Sequence, residues 1–213
     1  MSGSSSHHIR NICVFGGSSP RIENKFLESA NHLGQVLAER EIHLVYEGGN
    51  LGLMGGVSIA AFLGGNQVLG VVPKAFAKGD IIGKIIGEEL QVSTMFDRMN
   101  AVFNHADAFI AFPGGLGTLE EIFHISSSAQ LHIHHKPIGL LNVNGFYDNL
   151  LSFLDQAVEQ EFLTFLARQI IISAATAEQL IDQLQSFIPV IDPSMSRINW
   201  STMESCKKTL DWI

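Results

Sequence analysis

The chain has few cysteines, few basic residues and no long apolar run. Its two cysteines, Cys13 and Cys206, form neither a C-x-x-C pair nor a disulfide framework, which favours a reducing, cytoplasmic compartment. Lys and Arg number 13 against 21 Asp and Glu, so the formal net charge is −8. Because a nucleic-acid-binding surface needs a surplus of basic residues, nucleic acid is not an expected partner. No apolar run approaches the ~20 residues that cross a bilayer, so membrane association is not expected either.

Signals for secretion and for two kinds of nucleotide site are also missing. The N-terminal segment MSGSSSHHIRN is polar and lacks the apolar stretch of a signal peptide, and residues 1–8 are left out of the fold interpretation. The G-x-G-x-x-G pattern of dinucleotide sites does not follow the first predicted strand. The G-x-x-x-x-G-K-[ST] pattern of triphosphate sites is absent from the sequence. Neither a dinucleotide coenzyme nor a P-loop is therefore expected.

Short apolar segments alternate with longer amphipathic ones along the chain. The apolar segments predict seven strands, at residues 12–15, 43–46, 67–72, 89–93, 107–112, 137–143 and 169–173. Apolar residues at helical spacing predict helices at residues 24–40, 95–104, 118–131, 147–159 and 176–187. They also predict a short helix that includes residues 60–63. Strands that are almost entirely apolar indicate a parallel sheet covered on both faces. The expected fold class is α/β, a Rossmann-like doubly wound sheet in a single domain over residues 9–189. Residues 190–213 form a tail of unassigned role.

Three glycine-rich segments each follow a predicted strand. They are GGSS at 16–19, GGNLGLMGG at 48–56 and PGGLGT at 113–118. Because the carboxyl ends of parallel strands share one edge of the sheet, we expect a pocket lined by their backbone. The last segment precedes a helix, whose free N–H groups suit one phosphate, so a nucleoside monophosphate or sugar phosphate is favoured. A β-branched residue at Gly115 is expected to block the anion and to disfavour a positive φ.

Glu121 has two interpretations on the residues alone. Thr118 and Glu121 have the T-x-x-E spacing of a capping box, in which the glutamate would only close the start of a helix. The same glutamate follows the proposed phosphate loop, where a carboxylate could take part in catalysis.

The segment PGGLGTLEE, residues 113–121, matches the P-G-G-x-G-T-x-x-E motif of the Lonely Guy family. EGGNLGLMGG resembles the second glycine loop of that family, and Arg98 in MFDRMN falls in register, within a similarity from about residue 11 to 187. Members of the family cleave the N-glycosidic bond of cytokinin riboside monophosphates to a free base and ribose phosphate. Many carry the older label of lysine decarboxylase, which the residues here do not support because no lysine stands out as a Schiff-base site.

The resemblance implies a set of site residues. Arg98 and Glu121 would be the catalytic pair, and a bidentate contact between them would hold the acid ionised. The phosphate would be bound by Gly114, Gly115, Leu116, Gly117 and Thr118. The other expected substrate-binding residues are Gly17, Ser18, Gly49, Asn50, Asp80, Met95, Met99, Glu120 and Ser127. The substrate would be an AMP-like nucleoside monophosphate, and the protein would be a homodimer with its sites near the subunit interface.

Four residues depart from the family pattern. Met99 stands where the family usually has Lys, Glu47 where it has Gly, Asp80 where it has Glu and Ser128 where it has Trp. The phosphate-binding and catalytic positions are kept, whereas the surroundings of the base are altered. A non-catalytic nucleotide or molybdenum-cofactor carrier of the same architecture is therefore the alternative interpretation. A sugar-phosphate binding module has no positive signal in the sequence.

The segment LHIHHK, residues 131–136, raises the question of a metal site. His132 and His134 are two positions apart and have no nearby set of Asp, Glu or Cys, which is poor ligand geometry. We therefore expect no metal and no cofactor. The function expected from the sequence is hydrolysis of the N-glycosidic bond of an adenine-type nucleoside monophosphate.

Overall fold

The computed structural model describes residues 8–19, 23–77, 82–195, 198 and 200. In this part of the chain the strands are β1 Asn11–Phe15, β2 His43–Tyr46, β3 Val68–Pro73, β4 Glu88–Val92, β5 Ala108–Ala111, β6 Ile138–Leu141 and β7 Ile171–Ala174. The α-helices are α1 Asn24–Glu39, α2 Gly52–Leu63, α3 Lys74–Ala77, α4 Met95–His105, α5 Leu116–Gln130, α6 Asp148–Glu159, α7 Phe165–Arg168 and α8 Ala177–Gln185. Short 3-10 helices occupy Val143–Gly145 and Pro193–Met195.

The strands form one parallel sheet in the order β4-β3-β2-β1-β5-β6-β7. From β1 the chain proceeds outward to β4 on one side and then returns, so that β5 pairs with the other side of β1. The gap between the carboxyl ends of β1 and β5 is therefore the topological switch point, where open α/β sheets bind their ligands. The Rossmann-like α/β fold predicted from the sequence is confirmed.

The two faces of the sheet bury separate cores. Along β1, Ile12 and Val14 pack with the apolar residues of α1, α2 and α8. Cys13 and Phe15 point to the opposite face and pack with residues of α4, α5 and α6. Because both faces of each central strand are covered, its residues are apolar at successive positions instead of alternating with polar ones.

The main differences from the predicted elements lie at helix starts. Helix α5 begins at Leu116, two residues before the predicted start, and α2 begins at Gly52 inside the second glycine loop. The four-residue helices α3 and α7 were not predicted. Within the described residues, no helix combines the length and apolar character needed to cross a bilayer. From the C-terminal tail, the indole N–H of Trp200 donates to the carbonyl of Leu131 over 2.8 Å.

Candidate active site

The first glycine loop connects the other two at the switch point. The N–H of Gly17 donates to the carbonyl of Pro113 over 3.0 Å, and the carbonyl of Gly17 accepts from the N–H of Leu53 over 2.9 Å. A cavity of about 310 Å³ opens beside this junction, and its lining includes Gly17, Gly114 and Gly115. Ser18 is exposed at the same loop. The backbone-lined pocket predicted from the glycines is therefore present at the carboxyl edge of the sheet.

The second glycine loop contributes Leu53 to the lining of that cavity, and through Gly49 and Asn50 it supports the neighbouring segment. Gly49 has a φ of +83°, and a Cβ there would lie 2.2 Å from the carbonyl oxygen of Ile82. The N–H of Asn50 donates to that same carbonyl over 3.1 Å, while Oδ1 of Asn50 accepts from the N–H of Lys84 over 3.0 Å. Gly49 and Asn50 thus hold residues 82–84 against the second glycine loop. Asp80, another predicted substrate residue, lies outside the described residues.

The start of α5 has free backbone donors directly after Gly115, which lines the pocket. Gly115 is the N-cap residue, and the first hydrogen bond of the helix runs from the N–H of Leu119 to the carbonyl of Gly115 over 3.0 Å. The N–H groups of Leu116, Gly117 and Thr118 precede that bond and have no partner within the helix. Such a helix start binds anions through its N–H groups and its partial positive charge.

Two glycines of this loop have different requirements. A Cβ at Gly114 would lie 2.2 Å from Oγ1 of Thr118, so the close approach of this hydroxyl requires glycine. Gly115 has a φ of −100°, and a Cβ there would meet no atom within 4 Å. The expectation of a positive φ at Gly115 is therefore wrong. A side chain at this position would instead extend into open space beside the free N–H groups.

The capping-box interpretation of Glu121 is also wrong. Thr118 is the third residue of α5 and Glu121 is the sixth, so the T-x-x-E spacing lies inside the helix. A capping box is present at the start of α4, where Oγ1 of Thr94 accepts from the N–H of Asp97 over 3.0 Å. Oδ2 of Asp97 accepts in return from the N–H of Thr94, also over 3.0 Å. This reciprocal contact fixes the first turn of α4 directly before Arg98.

Arg98 and Glu121 are in direct contact, and a third residue, to which the sequence assigned no role, joins them. Nη2 of Arg98 lies 2.6 Å from Oε1 of Glu121 and 2.7 Å from Oε1 of Glu47. Glu121 is 1% exposed and Arg98 8% exposed. One nitrogen serves both acids, so the expected bidentate contact is not formed. Oε2 of Glu121 is buried and has no hydrogen-bond partner among the described residues.

The surroundings favour the protonated form of Glu121. Burial raises the pKa of Glu121 above its ordinary value of 4.5, and the neighbouring carboxyl group of Glu47 raises it further. The Arg98 guanidinium acts in the opposite direction, but it is shared between two acids. The expectation that the pair with Arg98 holds Glu121 ionised is therefore wrong. Burial also raises the pKa of the Cys13 thiol, which lies under the same cluster on β1.

The remaining predicted substrate-binding residues do not lie together in one place. Met95 is exposed at the first position of α4, and Met99 packs against the core on the α4 side of the sheet. Glu120 and Ser127 do not face the glycine pocket but line a second cavity of about 480 Å³ between α5, α7 and β7. The hydroxyl of Ser127 donates to the carbonyl of His124 over 3.0 Å. Within one chain the structure thus does not bring Glu120 and Ser127 to the phosphate-binding loop.

Of the histidine segment, His134 is buried in the protein interior. Nε2 of His134 donates to the carbonyl of Ile125 over 2.9 Å, and Nδ1 accepts from the N–H of Lys136 over 3.1 Å. Both ring nitrogens are therefore occupied, and burial lowers the pKa of His134. Among the described residues no group of three or more His, Cys, Asp or Glu has an arrangement that could hold a metal ion.

A doubly wound parallel sheet with glycine loops and buried titratable groups at its switch point defines a Rossmann-like protein with a small-molecule site. Residues 54–184 match the family model described as "Possible lysine decarboxylase". The chain is 48% identical over 194 residues to probable cytokinin riboside 5'-monophosphate phosphoribohydrolase LOGL3 of Oryza sativa subsp. japonica, covering 91% of this chain and 92% of the relative. It is 48% identical over 192 residues to cytokinin riboside 5'-monophosphate phosphoribohydrolase LOG2 of Arabidopsis thaliana, covering 90% of each. The chain belongs to this family, the Lonely Guy proteins.

Solved structures with the same fold include molybdenum-cofactor proteins. The molybdenum cofactor binding protein of Rippkaea orientalis has a TM-score of 0.64 and 24% identity, with 85% of this chain and 98% of that chain covered. The molybdenum cofactor carrier protein of Chlamydomonas reinhardtii has a TM-score of 0.61 and 20% identity, with 83% and 98% covered. At this level of identity the likeness establishes the fold alone.

Proposed function

We propose that the protein is a phosphoribohydrolase, which cleaves the N-glycosidic bond of an adenine-type, cytokinin-like nucleoside monophosphate to a free base and ribose phosphate. The contact between Arg98 and Glu121 carries the proposal, because it joins a cation to a buried acid in α5, the helix whose start can bind an anion. Relatives with 46–48% identity over about nine-tenths of the chain bear the name of this activity.

The phosphate binds at the start of α5 in this proposal. The N–H groups of Leu116, Gly117 and Thr118 donate to its oxygens, and the Thr118 hydroxyl lies beside them, under Gly114. Backbone donors cost little to organise, since Gly114 and Pro113 are already held by the first glycine loop. The expected residues Gly17 and Ser18 then contact the sugar phosphate from the opposite side of the cavity.

Hydrolysis of the bond needs a proton for the departing base and activation of a water molecule. The transition state has oxocarbenium character at the ribose, as in other glycosidic cleavages. Glu121 is the group that exchanges protons with base and water, and its conjugate carboxylate stabilises the positive charge on the sugar. Arg98 orients this carboxyl group through its contact with Oε1.

The alternative of a non-catalytic nucleotide or molybdenum-cofactor carrier is less favoured. The carriers share the fold at 20–24% identity, whereas the relatives named as hydrolases share almost half of their residues with this chain. The buried acid with an unpartnered oxygen also suits proton transfer better than simple retention of a ligand.

A homodimer is part of the proposal, and a cytoplasmic location agrees with the free thiol of Cys13. The cavity of about 480 Å³ beside α5 has Phe123 in its lining, while Phe165 of the adjacent α7 is 65% exposed. A second subunit covering this face would bury these rings. It would also close the surface that carries Glu120 and Ser127, which explains how residues turned away from the pocket of their own chain can serve a site near the interface.

Incubation with AMP and with prenylated AMP tests the proposal. Chromatography should detect free base and ribose phosphate from one or both nucleotides. Adenosine, which lacks the phosphate, should be a much poorer substrate if the start of α5 binds that group. Tight binding of AMP without release of base would favour the carrier instead.

A further inference from the structure

Glu47 forms a three-residue cluster with Arg98 and Glu121, and it is the member of the cluster that has no role in the proposed reaction. It directly follows β2, so it stands at the same edge of the sheet as the glycine loops. Its side chain is 18% exposed, and its Oε1 lies 2.7 Å from Nη2 of Arg98. The same Nη2 donates to Glu121 over 2.6 Å. Because Nη2 carries two hydrogens, each acid takes one of them and together they fix the direction of the guanidinium group.

We propose that Glu47 is a positioning residue of this site, which clamps Arg98 against Glu121 and keeps one proton on the Glu47–Glu121 pair, so that Glu121 enters the reaction as an acid. The inference rests on the proposed function for its catalytic consequence. The shared proton itself is a property of the folded chain and is measurable without any substrate.

The charges around the cluster require such a proton. Two ionised carboxylates and one guanidinium would leave a net charge of −1 where Arg98 and Glu121 are almost inaccessible to water. An unpaired buried charge is costly, and one proton removes it. When two carboxyl groups contact the same buried cation, as Glu47 and Glu121 contact Arg98, the charge of one raises the pKa of the other, which is the logic of acid dyads.

Apart from Arg98, the neighbouring titratable groups favour the protonated form of Glu121 or are uncharged. From β1, the Cys13 thiol stays protonated because burial raises its pKa. From α5, Glu120 adds a further negative charge that raises the pKa of Glu121. On α4, Arg98 is flanked by Asp97, whose carboxyl group accepts from the N–H of Thr94, and by the uncharged Met99, so neither residue supplies a compensating positive charge. Burial and the carboxyl group of Glu47 remain the largest causes of the raised pKa of Glu121.

The oxygen of Glu121 that has no hydrogen-bond partner is the one that can carry the proton for the departing base. Oε1 accepts from Arg98, whereas Oε2 is buried without a partner among the described residues. A proton on Oε2 can pass to the base nitrogen as the bond from the sugar carbon to that nitrogen breaks, and the bonding electron pair leaves with the base. The oxygen of a water molecule then bonds to the sugar carbon, and the water proton returns to Glu121. The acid is thereby regenerated and no other reactant is consumed.

The first experiment is an infrared spectrum of the whole protein without ligand at neutral pH. We expect a band from a protonated carboxylic acid in the original chain, and its loss in both Glu47→Gln and Glu121→Gln. Glu88→Gln is the matched control, because Glu88 is an exposed acid at the opposite end of the sheet, at the start of β4. This control should keep the band. If the original chain has no such band, or if Glu47→Gln keeps it, the inference is overturned.

The second experiment follows base release from AMP between about pH 5 and about pH 9. In Glu47→Gln, the pH above which kcat falls should decrease by about one unit or more, with KM for AMP little changed. Glu47→Gly also removes the side-chain oxygen that accepts from Arg98, and in this variant the pH above which kcat falls should decrease as well. An unchanged pH profile in both variants would overturn the inference. Absence of base release from the original chain would instead contradict the proposed function, while the infrared band would still decide whether Glu47 and Glu121 share a proton.

Discussion

The Nη2 atom of Arg98 lies 2.6 Å from Oε1 of Glu121, although 23 positions separate the two residues in the chain. The contact exists because α4 and α5 cover the same face of the sheet on either side of the switch point. Each residue stands in the first half of its helix, near the carboxyl edge where the glycine loops meet. The pair is therefore held by the framework of the fold and not by a loop.

Glu121→Gln should abolish most of the activity while leaving the fold intact. Glutamine has the same shape and its amide oxygen can still accept from Arg98, but it cannot donate a proton to the base or stabilise positive charge on the sugar. Base release from AMP should fall by roughly 10²-fold or more, with AMP affinity retained. Glu88→Gln should release base at the original rate. Normal turnover in Glu121→Gln would exclude the role that we propose for this acid.

The free energy of unfolding should depend on the pH through Glu121. Because its pKa is raised on folding, the folded chain keeps a proton that the unfolded chain loses above the ordinary value of 4.5. The folded state then binds more protons, so stability decreases as the pH rises from 4.5 toward the raised pKa, by up to about 1.4 kcal/mol per unit. When the free energy of unfolding is measured with urea, it should depend less on pH in Glu121→Gln than in the original chain. Equal slopes of this free energy against pH in the two proteins would mean that Glu121 titrates normally.

Most of the sheet could be predicted because its signals are local. The apolar segments around Val14, Val45 and Ile110 are buried on both faces, and this leaves a pattern that needs no tertiary information. The sequence predicts the start of α5 two residues too late, because glycine has a low helix propensity and Thr118 is a residue type that caps helices. In the structure Gly115 takes the cap position and Thr118 lies inside the first turn.

The charge arrangement of the site could not be predicted in the same way. A glutamate after a strand, such as Glu47, is usually a solvated loop residue, and only the strand order brings it to Arg98. The predicted bidentate pair of Arg98 and Glu121 does not form, because Glu47 contacts the same Nη2 atom of Arg98. A charged residue that directly follows a buried strand, at the edge of the sheet where ligands bind, is the sequence signal that indicates a site residue of this kind.

Gly115→Val should separate phosphate binding from folding. The backbone of Gly115 has a φ of −100°, which valine tolerates, and a Cβ there meets no atom within 4 Å. The melting temperature should therefore change little, whereas the branched side chain should block the N–H groups of Leu116 and Gly117. We expect AMP binding measured by calorimetry to weaken by at least about tenfold, with a smaller loss in Gly115→Ala. Unchanged affinity in both variants would place the phosphate elsewhere.

His134 should make folding sensitive to mild acid. Its ring is buried and bonded to Ile125 and Lys136 in the neutral form, and burial lowers its pKa from the ordinary value of 6.5. Below that value the unfolded chain binds a proton that the folded chain does not, so the stabilisation by His134 is present above 6.5 and is lost as the pH falls. The difference in unfolding free energy between the original chain and His134→Gln should shrink between about pH 7 and about pH 5. A constant difference would contradict the assignment of a buried neutral ring.

Thr94→Ala should reduce activity beyond its effect on stability. The change removes the capping box of α4, which typically costs about 0.5–2 kcal/mol, and it loosens the turn directly before Arg98. Thr176→Ala is the matched control, because the Thr176 side chain caps α8 by accepting from the N–H of Gln179, and α8 packs on the other face of the sheet.

Both variants should lower the unfolding free energy, measured with urea. Only Thr94→Ala should also lower kcat for base release, since a displaced guanidinium no longer orients Glu121, and a one-ångström error in such a contact can cost about 10²-fold. Equal kcat values in the two variants would show that the position of Arg98 does not depend on the start of α4.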